Sequence, residues 1–521
     1  MDDWKPFRQR ERGMSQNYAE RVPLLSDAKT LCSCRLSESP VLGGPEEVRI
    51  CPYCGRRAIS QDSAYFAGVR SKFMDPESTK ADGYTHVTKQ SSIVTIFAIW
   101  NTMMGTSLLA MPWGIERAGL AMGPALTLGM GALCLYTAYC NIRAHRTHGG
   151  PTGDIAELTR TLLGPQAEVV AKVFSLIVLL GANIVYWILM SNFLYHSINY
   201  VVGITEDTVY DTTMNFSASH AAVFCPRDAP LSGNSSTVSD TYKAIWNIDT
   251  TVPIFLSLLI GPLLNFKSPT FFTKFNSFGT LSVMYLILFV LVKSGIWGIN
   301  LDTEDSTSLH YSPLVKDSFP ATSGMLALSF FIHNIIITVM RSNSNQKNNG
   351  RDLSIAYFLV TATYMTIGVV FYVTFPLAKS CIQDNILNNF ASWDVMTVVA
   401  RVFLLFQLVT VFPLISYMLR VQTMIALTGE SYPSRIHVVA FNFIVVAICI
   451  LFAVFLPRIG TIIRFTGAIS GLVHVFALPC ILRLATLYRN DKAGTLSWLL
   501  HSAITLYGGA VLLGQFFVTD S

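Results

Sequence analysis

The sequence predicts an all-α polytopic membrane protein. About eleven transmembrane helices are expected, arranged as two inverted five-helix repeats plus one extra helix, behind a disordered cytosolic N-terminal tail. Three observations predict this class. The chain of 521 residues is 51% hydrophobic and only 13% charged, too apolar for a soluble protein of this size. Its charge is uneven, since residues 1–90 hold 26 of the 69 charged side chains. Finally, apolar segments long enough to cross a bilayer recur through residues 91–519, and two of them are interrupted by polar residues at mid-depth. The formal charge of +5 mostly reflects loops and gives no reason to expect a nucleic-acid partner.

The tail, residues 1–90, lacks an apolar core segment. No signal peptide is therefore expected, insertion starts from internal spans, and the tail stays in the cytosol. Glu20 stands four residues before Leu24-Leu25, the spacing of acidic dileucine sorting signals for endosomes and lysosomes. An apolar pair in a solvated tail has nothing of its own to pack on, which favours a partner groove, although chance matches are frequent. Cys32, Cys34, Cys51 and Cys54 could close a tetrahedral zinc site, the second pair in a Cys-Pro-Tyr-Cys-Gly knuckle. The single residue between Cys32 and Cys34 is shorter than zinc ribbons use, and reduced or acylated thiols are the other reading.

The expected spans fall near 92–117, 121–143, 168–202, 251–266, 275–298, 321–342, 352–376, 394–420, 435–456, 460–484 and 495–519. The fourth is short, and little separates the ninth from the tenth, so the count can differ by one. With a cytosolic tail, the loops after even-numbered spans are cytosolic. They carry most of the loop cations, among them Arg143, Lys267, Arg341, Arg351 and Arg489, as the positive-inside rule requires. The long loop 203–250 is then lumenal. It holds two glycosylation acceptors, Asn215-Phe216-Ser217 and Asn234-Ser235-Ser236, which are modified only on that side. Cys225 and Cys381 are the only cysteines in lumenal loops, so an oxidising compartment favours their pairing, with two free thiols as the alternative. Cys134, Cys140, Cys449 and Cys480 lie in spans and read as small packing residues.

Span 1 reads Ile99-Trp100-Asn101-Thr102-Met103-Met104-Gly105-Thr106-Ser107 at mid-depth, with Pro112 and Gly114 beyond. Contiguous polar residues and a glycine predict a helix that breaks where it lines a polar cavity, the place where secondary transporters bind substrate and ion. A small-residue packing face would instead repeat every fourth residue. An inverted repeat makes span 6 the counterpart of span 1, and span 6 carries Ser329-Phe330-Phe331-Ile332-His333-Asn334 after Ser323-Gly324. His333 is either a site residue or a packed, hydrogen-bonded histidine. Span 8 adds Gln407, Thr410 and Pro413 at mid-depth. Spans 1, 6 and 8 are thus expected to build one central site.

No Asp or Glu lies mid-span; Glu116, Glu168, Asp352 and Asp394 all sit near span ends. A proton relay on membrane carboxylates is therefore not expected. Carbonyl, amide and hydroxyl oxygens would hold a hard monovalent cation. A substrate carboxylate would meet the backbone N–H groups that Gly105 leaves open. A cationic side chain would be received without an acid, on carbonyls, hydroxyls or the faces of Phe330 and Phe331.

These residues carry a resemblance. The stretch Ser92 to Gly119, the run Trp187-Ile188-Leu189-Met190-Ser191-Asn192-Phe193-Leu194, Pro262-Leu263-Leu264-Asn265-Phe266-Lys267-Ser268-Pro269, and Phe330-Phe331-Ile332-His333-Asn334 resemble the sodium-coupled neutral amino acid transporters. Within that family they are most similar to the lysosomal, arginine-sensing branch, and the likeness covers about residues 92–519. It implies a LeuT-like fold of two inverted five-helix halves in the membranes of lysosomes and late endosomes. It implies export of arginine, leucine or other neutral amino acids from the lumen. It further implies arginine-dependent signalling, through small GTPases and a scaffold, to the growth-controlling kinase complex on that membrane. Carried over by position, Asn101, Thr102, Met103, Met104, Gly105 and Thr106 match the arginine-binding segment. Asn101 and Thr410 match residues that contact sodium, and Cys225 and Cys381 match lumenal cysteines. Membrane lipid, including sterol, is an implied partner. The sequence departs at Phe412, where a tyrosine hydroxyl is expected before Pro413, and in the tail, where only fragments around Tyr18 to Val22 align. The competing reading is an amino acid receptor that reports lumenal arginine through its tail with little flux. An enzyme is not expected, because no nucleophile–base or metal-ligand pattern lies in the spans.

Overall fold

A bilayer leaves no water to satisfy backbone groups, so apolar segments cross it as helices. The structure, a computed structural model, describes residues 90–149, 154–202, 222–226, 240–266 and 277–519. The tail motif Glu20 to Leu25, the cysteine quartet and both glycosylation acceptors lie outside the described residues. Among the described residues the chain is helical, with three isolated β-bridges as its only extended pairing.

Among the described residues, eight helices are long and apolar enough to span a membrane, and the pair Ser92–Met103 and Ser107–Ala118, bent by 62°, makes a ninth if it is one span. The other two expected segments differ in kind. Span 4 is the 14-residue helix Thr251–Leu264. At about 1.5 Å per residue it covers roughly 21 Å, short of a ~30 Å hydrocarbon core. Span 6 is split into Phe319–Ser329 and Ile336–Arg341. The first helix of each expected half is therefore the broken one.

Local chemistry sets the ends. The Ser91 hydroxyl accepts from Val94 N at the start of span 1, and the Asp394 carboxylate accepts from Thr397 N at the start of span 8. Span 8 runs Val395–Thr428 and stops at Gly429, whose φ of +77° suits glycine. Gln90 N donates to Ser342 O and Ser344 N donates to Gln90 O, tying the entry of span 1 to the exit of span 6.

Packing gathers the broken helices against long ones. Span 3 (Pro165–Val202) lies along span 8, and Phe319–Ser329 lies along span 10, which begins at Ile459. The second contact is glycine-dependent, since a Cβ on Gly467 would stand 2.1 Å from Gly324 O. Small residues at such crossings let backbones approach where no hydrophobic effect drives association. The carboxylates near span ends are paired: Glu116 with Lys316, Glu168 with Lys172, and Asp394 with Lys293. Cys134, Cys140, Cys449 and Cys480 are buried free thiols, as their packing role requires. Cys225 and Cys381 form a disulfide across 156 residues. Beside it, Phe224 N donates to Asn389 O and Ala391 N to Ala222 O, which fastens this part of the long loop to the span 7–8 connection.

Candidate functional site

The break in span 1 begins at Met103. Met104 N still donates to Trp100 O, but ψ at Met104 swings to +71° and the chain leaves the helix. The second half restarts at Ser107, so the amides of Thr106 and Ser107 open a new helix and have no intrahelical acceptor upstream. These donors, with the positive end of a half-helix dipole, are suited to a carboxylate.

Met104, Gly105 and Thr106 line a cavity together with Tyr186 of span 3, Val283 and Leu286 of span 5, and Gln407 of span 8. Leu108, Leu109, Leu189, Phe193, Leu404, Leu408 and Val411 complete an apolar wall. A Cβ on Gly105 would lie 3.4 Å from Tyr186 Oη, so glycine there keeps the phenol against the break. The cavity is contracted to about 20 Å³, room for roughly one water molecule. Ligand pockets are typically ~300–1,000 Å³, so an amino acid enters only if these walls move apart.

The other expected site residues do not line this cavity. Asn101 Oδ1 lies 3.4 Å from Thr280 Oγ1 of span 5. Thr280 was missed from sequence, being one of several hydroxyls in span 5 with nothing to single it out. Thr410 is buried and donates to Gln407 O at 2.8 Å. Span 5 packs on span 8 through Ser282 Oγ to Phe403 O. All these donors are neutral oxygens, the set that fits a hard monovalent cation. Thr102 is exposed and turns back to Ala98 O.

Span 6 is broken where expected, but its aromatic residues do not line this cavity. Phe330 is fully buried, stacked on Tyr357 and edge-on to Tyr364. Phe331 packs edge-on against His474 of span 10. His333 is buried, with Nε2 2.8 Å from Thr137 Oγ1 in span 2. The hydrogen-bonded, packed alternative therefore describes His333 in this conformation. What joins the two breaks is Tyr364 of span 7, whose hydroxyl lies 2.8 Å from both Met103 O and Ser329 O. Trp100 Nε1 adds a bond to Thr363 Oγ1, one residue away. Beyond Tyr364, span 7 widens into a π-turn at Thr366–Val370, where Gly368 faces Met111 and Ile115 of the second half of span 1.

The family model described as transmembrane amino acid transporter protein matches residues 88–518. The chain belongs to the transmembrane amino acid transporter family. Among its relatives, the sodium-coupled neutral amino acid transporter 9 homolog of Caenorhabditis elegans is 42% identical over 82% of this chain and 74% of its own. Neutral amino acid transporter 9 of Xenopus laevis is 42% identical over 84% of this chain and 82% of its own. Among solved structures, MhsT in complex with L-phenylalanine superposes with a TM-score of 0.51 at 12% identity, covering 82% of this chain and 99% of that one. That likeness establishes the fold, and the LeuT-like class expected from the repeated broken helices holds. For this amino acid transporter family member, no cluster of His, Cys, Asp or Glu able to hold a metal occurs among the described residues.

Proposed function

We propose that this protein exports amino acids, arginine and leucine among them, from the lumen of lysosomes and late endosomes to the cytosol. Its substrate site is the interruption of span 1. The observation that carries the reading is the 62° break at Met104–Thr106, which exposes a half-helix N-terminus beside a cavity closed by Tyr186 and Gln407. The substrate carboxylate is held by the amides of Thr106 and Ser107, and no acid is needed opposite it. Sodium is the coupling ion, bound by Asn101 and Thr410 with Thr280 beside them, as the neutral oxygens and the name of the nematode relative both support. Phe330, Phe331 and His333 act by bracing the second break. The contracted cavity corresponds to a state between lumenal and cytosolic opening. In the tail, Glu20, Leu24 and Leu25 direct sorting, and the tail reports arginine to the small GTPases and scaffold of the growth-controlling kinase complex.

Replacing Thr106 with Trp fills the cavity without altering the apolar spans that direct insertion. Labelled arginine binding and efflux from loaded proteoliposomes should both be lost, while the variant still reaches its membrane. Retained arginine efflux in a correctly localised variant would place the substrate site elsewhere.

A further inference from the structure

Among the cavity residues, one polar group is left without an explanation. Gln407 Oε1 is buried and has no hydrogen-bond partner. It belongs to a side chain that lines the cavity opposite the span 1 break, in a wall whose other members are Leu, Val and Phe apart from Tyr186. The amide packs against span 5 at Gly279, where a Cβ would come within 3.1 Å of Gln407 Nε2. A buried carbonyl oxygen in an apolar wall is costly unless something donates to it. In the contracted state there is room for about one water molecule, which can serve. When a substrate enters, that water is displaced and the oxygen needs another donor.

We infer that Gln407 reads the distal end of the substrate side chain by accepting a hydrogen bond from an N–H group. The site thereby prefers side chains ending in a carboxamide or guanidinium over aliphatic ones. The inference rests on the reading that the span 1 break is the substrate site. The apolar wall receives the methylene stem, and the single amide oxygen receives the terminal N–H. An aliphatic side chain such as leucine fits the wall but leaves Oε1 unpaired, and sites built around one hydrogen bond discriminate against ligands that lack it. No carboxylate lines the cavity. Lysine is therefore a poorer ligand than arginine, because a compact ammonium loses more hydration than a guanidinium and finds no anion in return.

The test uses the full-length protein in proteoliposomes and equilibrium competition by arginine, glutamine, lysine and leucine. Gln407→Leu removes the acceptor at similar volume. The ratio of arginine affinity to leucine affinity, and likewise glutamine to leucine, should fall by about tenfold, the scale of one lost hydrogen bond. Gln407→Glu keeps the shape and adds an anion, and should raise lysine relative to leucine. This second variant keeps the idea testable if Gln407→Leu folds poorly. Unchanged ratios in both variants would mean that the oxygen is served by water alone, and would overturn the assignment. Failure of the site itself reads differently: Thr106→Trp would then leave binding of every ligand intact.

Discussion

Tyr364 Oη lies 2.8 Å from the carbonyl oxygen of Met103, the last helical residue before the break in span 1. The same oxygen lies 2.8 Å from Ser329 O, the last helical residue before the break in span 6. Both carbonyls lose their helical donors because the chain leaves the helix there, and both are buried away from water. One phenol thus serves the exposed ends of two half-helices. It carries a single proton, so the proton is shared or alternates between them. The hydroxyl bridges the two breaks, and at Met103 O it shares the acceptor with the Gly105 amide.

Removing that hydroxyl should loosen both breaks. Tyr364→Phe keeps the ring that packs on Phe330, leaves the buried Ser329 O without a donor and leaves Met103 O with the Gly105 amide alone, at a cost of about 1–3 kcal/mol. Arginine affinity should fall by roughly tenfold, with membrane insertion unchanged, as equilibrium binding and membrane fractionation would report. Wild-type affinity in this variant would show that the breaks keep their geometry without the phenol.

Much of this arrangement was legible in the sequence, for a physical reason. Polar residues and glycine inside an apolar run have no use against lipid, so the runs around Asn101–Thr106 and Ser329–Asn334 announced two interruptions at the right places. Their facing was not legible. Phe330 and His333 stand in a break, yet break residues have no periodicity from which to derive direction, and they turn to Tyr357 and Thr137 instead of the cavity. Thr280, Tyr186 and Tyr364 were not legible either. A lone hydroxyl in a membrane helix is common and satisfies itself locally, so only tertiary packing reveals which one meets another helix. Span 4 was expected to be short, and it is.

Ion coupling gives a prediction that separates Asn101 from its neighbour. Asn101 Oδ1 and Thr280 Oγ1 are 3.4 Å apart, a long contact that a cation between or beside them would replace with two oxygen bonds. Asn101→Ala should weaken the sodium dependence of efflux by raising the half-saturating sodium concentration about tenfold or more. Thr280→Ala should shift it in the same direction by less, because hydroxyls are weaker ligands than amide oxygens. Substitution of choline for sodium provides the baseline. If choline leaves wild-type flux unchanged, no sodium site is coupled to transport and both assignments fail together.

The last prediction concerns Lys379, which lies in the span 7–8 connection near the disulfide. Its ammonium is buried, donating to Phe375 O at 3.0 Å and lying over the Tyr372 ring. Burial without a carboxylate partner brings its pKa down from 10.5 to about 7. His310 in the span 5–6 connection is lowered as well, first by its own burial and then by the charge of Lys379. The sign follows from proton counting. Below about pH 7 the folded and unfolded chains both hold the Lys379 proton, and the full cost of burying the charge is present. Between about 7 and 10.5 the unfolded chain binds more proton than the folded one, so stability rises with pH. Lys379→Met removes the charge while filling similar space. It should therefore raise the thermal midpoint in detergent most at about pH 6, with the gain shrinking steadily toward about pH 10. A lost hydrogen bond to Phe375 would offset both ends equally and leave that slope intact. Parallel melting curves for the two proteins across this range would mean that Lys379 keeps its ordinary affinity for a proton, and that the span 7–8 connection does not bury its charge.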